Sequence, residues 1–117
     1  MRDPSVNNVC TVYASDDVFL IVAGLAVGEI EGVYSLADYS SGEVLPLGNV
    51  KNFSRAIRLE FTEDHVVSVK LSIHILFGYN IPEIAGKIQE KIMNEIFNMI
   101  GCHVAFVNIR IADVKLK

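Results

Sequence analysis

The chain has 117 residues, of which 51% are hydrophobic and 21% charged, and its formal net charge is −4. This composition is typical of one globular domain with a modest core, and it excludes a disordered chain. The acidic balance gives no overall positive field that would attract nucleic acid or an anionic membrane surface. We therefore expect a single domain over residues 1–117.

The start of the chain and its longest apolar run predict no membrane span. The opening MRDPSVNN is polar and lacks the apolar core of a secretory signal. The run VFLIVAGLAV at residues 18–27 is about half as long as the ~20 residues that a bilayer requires, so we expect a buried helix. Cys10 and Cys102 form no C-x-x-C pair. We expect a cytoplasmic protein with reduced thiols that reaches a membrane only through a partner.

The first half of the chain predicts a strand, a helix and a long loop. Residues 8–15 alternate loosely, as in a short edge strand. Ser15 is a candidate N-cap, and we expect the helix to run to about Glu31 and to stop at Gly32. The segment from Tyr34 to Asn52 contains the turn sequences SSGE and LPLGN, so we expect a long loop there.

The middle of the chain predicts an antiparallel hairpin. Residues 57–61 and 67–75 alternate between apolar and polar side chains, and the turn sequence TEDH lies between them. A slip of one residue would move every side chain to the other face, so the pattern fixes both faces. We expect the core face to carry Val67, Val69, Leu71, Ile73 and Ile75, and the opposite face to carry Ser68, Lys70, Ser72 and His74.

The second half predicts a helix between two parallel strands. Asn80 can cap the helix, Pro82 fits its first turn, isoleucines recur every fourth residue from Ile84 to Ile100, and Gly101 ends it. A final strand follows at residues 105–111. A strand, a helix and a strand in this order favour a right-handed crossover. The order (β)αββαβ predicts an α+β two-layer fold, with a small mixed sheet of three to four strands and two helices on one face.

The second helix is more apolar than a helix lying on a sheet requires. The isoleucines cover an arc of about 160°, and Met93 and Phe97 widen it to about 220°. Gln89, Met93 and Phe97 stack at one edge, four residues apart, and form the candidate interaction surface. Two interpretations remain open, namely contact with the first helix or contact with a partner. On the other layer, we expect the exposed face of the sheet to carry Leu76, Val104 and Phe106.

Three glycines in and after the first helix, Gly24, Gly28 and Gly32, repeat every fourth residue. In a membrane helix this spacing would indicate dimerisation. Because the segment is too short to span a bilayer, we expect close backbone packing within the domain instead, with Gly32 serving only as the helix stop.

No pattern predicts a reactive centre. Cys102 and His103 are adjacent in a strand, so their side chains would point to opposite faces. His65, His74 and His103 lack the spacing of a metal site. We expect no catalytic residue, no metal, no cofactor and no small-molecule substrate.

A weak basic cluster suggests RNA binding as an alternative function. It comprises Lys51, Arg55 and Arg58, to which Lys70 and Arg110 could add on the sheet. Small α+β domains often bind RNA through such a face. The chain has neither an RNP-like aromatic pair nor a GXXG loop. A solvated sheet face is therefore the favoured interpretation, and a small RNA-binding module is the alternative.

Several motifs resemble those of the alkaline shock protein family of Gram-positive bacteria. They are VAGLA at 22–26, EIEGV at 29–33, GYNIPE at 78–83, IQEK at 88–91, NMIG at 98–101 and VNI at 107–109. The resemblance covers nearly the whole chain, with the motifs in the family's order. The chain departs from the family pattern at Gly28 and at 54–57, where SRAI stands in place of G-K-G-V.

This resemblance implies a non-enzymatic protein of the general or envelope stress response. Family members are associated with cell-envelope homeostasis, and some are linked with lipid metabolism. The resemblance also implies protein partners, among which a membrane-anchoring protein is one candidate. We accordingly expect a cytoplasmic protein–protein interaction module that forms homo-oligomers.

Overall fold

The computed structural model describes residues 14–61 and 66–116. The expected first strand falls mainly on residues 8–13 and the expected hairpin turn on 62–65, both outside this range. The described elements are α1 (Asp16–Gly28), β1 (Val33–Ala37), β2 (Val44–Leu45), a 3-10 turn (Val50–Asn52) leading into α2 (Phe53–Ala56), β3 (Ile57–Phe61), β4 (Val67–Leu76), α3 (Ile81–Ile100) and β5 (Val104–Lys115).

Strand β4 is the centre of a mixed sheet that has five strands in the described part of the chain. β5 runs parallel to β4 along one edge. Two strands share the other edge of β4: β3 pairs antiparallel with the first half of β4, and β1 pairs antiparallel with the second half. β2 extends the sheet beyond β1. With α1 and α3 packed on one face, the predicted two-layer α+β fold is confirmed, as are the β3–β4 hairpin and the parallel crossover through α3. The described part has five strands rather than the three to four expected, and it adds the short helix α2.

The predicted signals of α3 are all present in the structure. The side chain of Asn80 accepts a hydrogen bond from the Glu83 amide at 2.9 Å, and a proline occupies the first turn. Gly101 ends the helix in the left-handed conformation, with φ 82°. The isoleucines at every fourth position, Ile84, Ile88, Ile92, Ile96 and Ile100, are buried. Local capping and the helical apolar period therefore agree, which fixes both the length of α3 and the face that it presents.

The first helix ends earlier than its sequence predicts. It begins after Ser15 as expected, but its last residue is Gly28, and Gly32 lies in the turn before β1 with φ 100°. A side chain at Gly32 would meet Ile84 and Tyr79, so this glycine does allow close packing. Gly24 does the same against the Phe53 ring, whereas Gly28 faces open space. Close backbone packing is thus confirmed for Gly24 but not for Gly28, while Gly32, expected only as a helix stop, packs closely in the turn instead.

The predicted long loop from Tyr34 to Asn52 is wrong, because it contains most of β1, the whole of β2 and the 3-10 turn. The tip between β1 and β2 folds over the sheet face opposite the helices. There the His74 Nε2 lies 2.8 Å from the Gly42 carbonyl oxygen, and Arg110 donates to the Tyr39 carbonyl at 2.8 Å. Ser72 and His74 therefore face away from the core as predicted, but both are buried.

Two irregularities in β5 change which residues face the core. Val104 lies opposite Val67, and Phe106 lies opposite Ser68, so Ala105 is an extra residue. Val104 consequently packs against the core, and the expectation that it lies on the exposed sheet face is wrong. Phe106 does lie on that face and is 63% exposed. A bulge shifts the two-residue period by one, which alternation alone does not reveal.

Gly24 and Gly28 form a matched pair for substitution. Alanine at Gly24 would place its β-carbon against the ring of Phe53, a side chain that is 1% exposed and has little room to move. We expect Gly24→Ala to lower the free energy of unfolding by about 1–3 kcal/mol. Gly28→Ala meets nothing within 4 Å, so it should be neutral or stabilising by up to about 1 kcal/mol. Urea unfolding measures both, and equal stability of the two variants would contradict the packing described.

Candidate interaction surfaces

The predicted surface on α3 lies beside strand β5. We call it the α3–β5 edge and define it by Gln89, Met93 and Phe97. The Gln89 side-chain amide donates a hydrogen bond to the Val107 carbonyl at 3.0 Å. Among the strands described, β5 pairs only with β4, so its other side is an open edge apart from this contact. The α3–β5 edge therefore combines helix side chains with a strand edge that no other described strand pairs.

Phe97 is the most exposed apolar member of this surface. Its ring is 48% exposed and lies 4.6 Å, centroid to centroid, from the imidazole of His103. Met93 is half-buried and packs against the core. The interpretation that the first helix covers this line is thus wrong for Phe97. Contact of the α3–β5 edge with a partner stays a prediction.

A second apolar surface lies on α1 and was missed by the sequence analysis, which predicted a buried helix. The side of α1 that carries Phe19 and Ala23 is buried, but Val18, Ile21 and Leu25 are 40%, 38% and 51% exposed. The sequence did contain a signal for this surface, because the run is apolar on every side and a helix lying on a sheet can bury only one face. We call these three residues the α1 stripe.

The α1 stripe borders a groove between α1 and α2. The groove has a volume of about 240 Å³ and is lined by Asp17, Leu20, Ile21, Val50, Lys51, Phe53 and Ser54. Phe53 is buried against Gly24, which fixes the spacing of the two helices. Val50 is 48% exposed and adds an apolar side chain to the far wall, which Lys51 and Ser54 also line. We call this feature the α1 groove.

The basic residues of the predicted cluster are spread over the 3-10 turn, α2 and three strands of the sheet. Arg58 and Arg110 approach the Tyr39 ring from 4.8 and 5.6 Å. Arg55 pairs with Asp38 at 3.0 Å and with Glu43 at 3.2 Å, while Lys70 pairs with Glu60 at 3.3 Å; Lys51 lines the α1 groove. Carboxylates thus offset the charges of Arg55 and Lys70, while Arg58 and Arg110 contact Tyr39 in the loop between β1 and β2.

Asp38 organises the loop that covers the sheet. Its carboxylate accepts hydrogen bonds from the backbone amides of Ser41 at 3.0 Å and Ser40 at 2.9 Å. The Ser41 amide has the largest effect, followed by the Ser40 amide and the Arg55 guanidinium, and together they hold the pKa of Asp38 below its ordinary value of 3.8. The ionised form is therefore favoured by folding.

This lowered pKa of Asp38 predicts an acid-sensitive loop. The stabilisation from Asp38 is complete above the unfolded-state pKa near 3.8, and it is lost as the pH falls through the lower folded-state pKa. We expect Asp38→Asn to remove part of the fall in stability between about pH 5 and pH 2. It should also speed amide exchange at Ser40 and Ser41 at neutral pH. Glu43→Gln is the control, since its exposed carboxylate contacts only Arg55 among these groups; equal exchange in both variants would contradict the role of Asp38.

The cysteine and histidines considered as reactive groups do not meet. Cys102 is fully buried and disulfide-bonded, so it offers no nucleophilic thiol in this state. His103 lies against Phe97, His74 lies under the β1–β2 loop, and His65 falls outside the described residues. Within residues 14–61 and 66–116, no three histidine, cysteine, aspartate or glutamate side chains come close enough to hold a metal ion.

Nor does any helix in these ranges combine the length and the apolar character needed to cross a membrane. The fold and surfaces define a small two-layer α+β domain that exposes apolar side chains on both of its long helices. A family model described as alkaline shock protein 23 family, cell envelope-related function, matches residues 5–116. The chain belongs to this family, which confirms the resemblance seen in its motifs.

Relatives of the chain occur in two Gram-positive bacteria. It is 26% identical over 105 residues to the uncharacterized protein YqhY of Bacillus subtilis, covering 89% of this chain and 76% of the relative. It is 27% identical over 107 residues to the uncharacterized protein Spy1614 of Streptococcus pyogenes serotype M6, covering 90% and 88%. It is 26% identical over 104 residues to YloU of Bacillus subtilis, covering 87% and 86%. No solved structure matches the chain significantly.

Proposed function

We propose that this cell envelope-related protein is a non-enzymatic interaction module of the stress response, which forms homo-oligomers and acts through protein partners. The observation that carries the proposal is the exposure of large apolar side chains on both long helices, on α1 at Val18, Ile21 and Leu25 and on α3 at Phe97 and Met99. Soluble domains rarely leave such sets in water unless a contact covers them. A link to lipid homeostasis or a membrane-anchoring partner would then operate through these contacts.

The α3–β5 edge is the surface proposed for self-association. An unpaired strand edge can accept another chain, and the Gln89 side chain already blocks one of its carbonyl groups. Packing of Phe97 side chains, supported by Met93, is therefore the expected main contribution. Two copies of one surface can meet around a two-fold axis, which closes the assembly.

Self-association predicts that substitutions at two neighbouring residues of α3 have different effects, one on assembly and the other on folding stability. Phe97→Asp should weaken assembly, because a charge buried in an apolar contact without a partner is unfavourable. It should leave the fold within about 1 kcal/mol of wild type, since the side chain is half exposed. Ile96→Ala removes a fully buried side chain and should cost about 2–5 kcal/mol of folding stability.

Light scattering coupled to size exclusion, with circular dichroism on the same samples, measures both effects. Phe77→Asp is the matched control, because Phe77 is 65% exposed in the turn between β4 and α3, away from Phe97. It should assemble like wild type. A wild-type chain that stays monomeric at high concentration would refute self-association, and assembly of Phe97→Asp at wild-type strength would refute the surface.

We also propose a cytoplasmic location, and the state of Cys102 tests it. The structure contains Cys102 in a disulfide, whereas disulfides are rare in the reducing cytoplasm. A cytoplasmic location therefore predicts that this disulfide is reduced in the cell, contrary to the state in the structure. Acid quenching of cells, alkylation with a mass-tagged thiol reagent and mass spectrometry of the Cys102 peptide measure this state. A fully oxidised Cys102 would instead indicate an oxidising compartment.

Tyr39 between Arg58 and Arg110 favours the RNA-binding alternative, because arginines beside an aromatic ring suit nucleic-acid bases. The ion pairs of Arg55 and Lys70 and the net charge of −4 oppose it. Binding of a labelled single-stranded RNA that is lost in Arg58→Ala and Arg110→Ala would establish this function in place of the first.

A further inference from the structure

The α1 stripe has the spacing of a helix-docking surface. Val18, Ile21 and Leu25 are three and four residues apart, so they lie along one side of α1. Gly28 continues this side, and a β-carbon there would meet nothing within 4 Å. The stripe thus ends in a flat position where another backbone can come close.

The size of the α1 groove indicates what it can hold. Its volume is about 240 Å³, below the ~300–1,000 Å³ of sites that enclose small-molecule ligands. Its apolar lining, Leu20 and Ile21 on one side and Val50 on the other, suits one or two aliphatic or aromatic side chains, and Asp17, Lys51 and Ser54 add polar groups beside them. Helices that dock in grooves insert anchors of this kind at successive turns.

The charges around α1 select the kind of helix. Asp16 and Asp17 lie in its first turn, its last turn has no basic residue, and Glu29 and Glu31 follow its end. Glu29 pairs with Lys91 at 3.0 Å, and Glu31 accepts a hydrogen bond from Tyr79. No described residue forms an ion pair with Asp16 or Asp17. Carboxylates therefore lie at both ends of the stripe, where Lys91 offsets Glu29, and Lys51 is the one cation lining the groove.

This charge pattern disfavours a second copy of α1 as the occupant. Two antiparallel α1 helices would bring Asp16 and Asp17 near the glutamates of the other copy. Two parallel helices would bring the aspartates together. Like charges held close across an interface are destabilising, whereas lysine or arginine at the ends of the docked helix would meet the carboxylates favourably.

We propose that the α1 groove and α1 stripe bind an amphipathic helix of a protein partner, whose apolar face is flanked by lysine or arginine residues. This inference rests on the proposed function as an interaction module and assigns it a second surface, separate from the α3–β5 edge. One surface joins copies of the chain, and the other takes a basic amphipathic helix.

Two synthetic helical peptides of about five turns test the proposal. Both repeat leucine at i, i+3, i+4 and i+7, and they differ only in carrying lysine or glutamate elsewhere. By fluorescence anisotropy, the wild-type protein should bind the leucine–lysine peptide at least about tenfold more tightly than the leucine–glutamate peptide. Equal binding of the two peptides, or no binding of either, would overturn the proposal.

Variants locate the binding. Leu25→Asp and Ile21→Asp should each lower the affinity for the leucine–lysine peptide by about tenfold or more, with the unfolding midpoint unchanged. Asp17→Lys should remove the preference between the peptides without altering an apolar contact. Gly28→Gln tests the same surface in the event that an aspartate on α1 unfolds the chain. The glutamine side chain would project beside the stripe into open space and obstruct docking.

Phe97→Asp separates this inference from self-association. It should bind the leucine–lysine peptide like wild type, while losing assembly. Unchanged affinity in Leu25→Asp would overturn the α1 site and leave the α3–β5 edge untouched. Loss of homo-oligomers in Leu25→Asp but not in Phe97→Asp would show that the stripe joins two copies of the chain. That result would also overturn the proposed docking of a partner helix.

Discussion

The structure depends on the complete burial of the apolar face of β4. Val67, Val69, Leu71, Ile73 and Ile75 have no exposed surface, and the strand is bonded along both edges. Its parallel pairing with β5 requires a crossover, which α3 provides while covering the sheet. The helix must then carry an apolar face along its whole length, and its isoleucines supply one at every turn. This contact between one strand and one helix is the middle of the hydrophobic core, to which α1 and α2 add further buried side chains.

The opposite face of β4 is covered in a different way. There the β1–β2 loop is held by polar contacts, with Asp38 ordering its own backbone and Arg110 and His74 meeting its carbonyl groups. Arg58 and Arg110 approach the Tyr39 ring above the sheet. Polar contacts of this kind depend on charge and geometry more than on buried apolar area. The loop is therefore sensitive to acid through Asp38, whose pKa is lowered.

The apolar side chains left in water follow from the same architecture. A sheet of this size can cover one side of each helix, and the outward side of α1 still carries Val18, Ile21 and Leu25. On α3 the residues beyond the sheet contact reach the open edge of β5, where Phe97 meets His103. These two surfaces lie on different elements and differ in their surroundings: one is bracketed by carboxylates and the other borders unpaired backbone. A protein that joins copies of itself to another chain would need two such surfaces.

The sequence by itself determined α3, the β3–β4 hairpin, the core face of β4 and the family. These features rest on local capping and on unbroken periods, which need no knowledge of distant residues. It could not place β1 and β2, because turn residues surround their short apolar segments. Nor could it show the bulge at Ala105, since one extra residue leaves each local pattern intact while moving Val104 to the core. Only the tertiary structure decided which apolar helix residues stay exposed, because burial depends on what lies opposite, and the described residues leave Leu25 and Phe97 about half exposed.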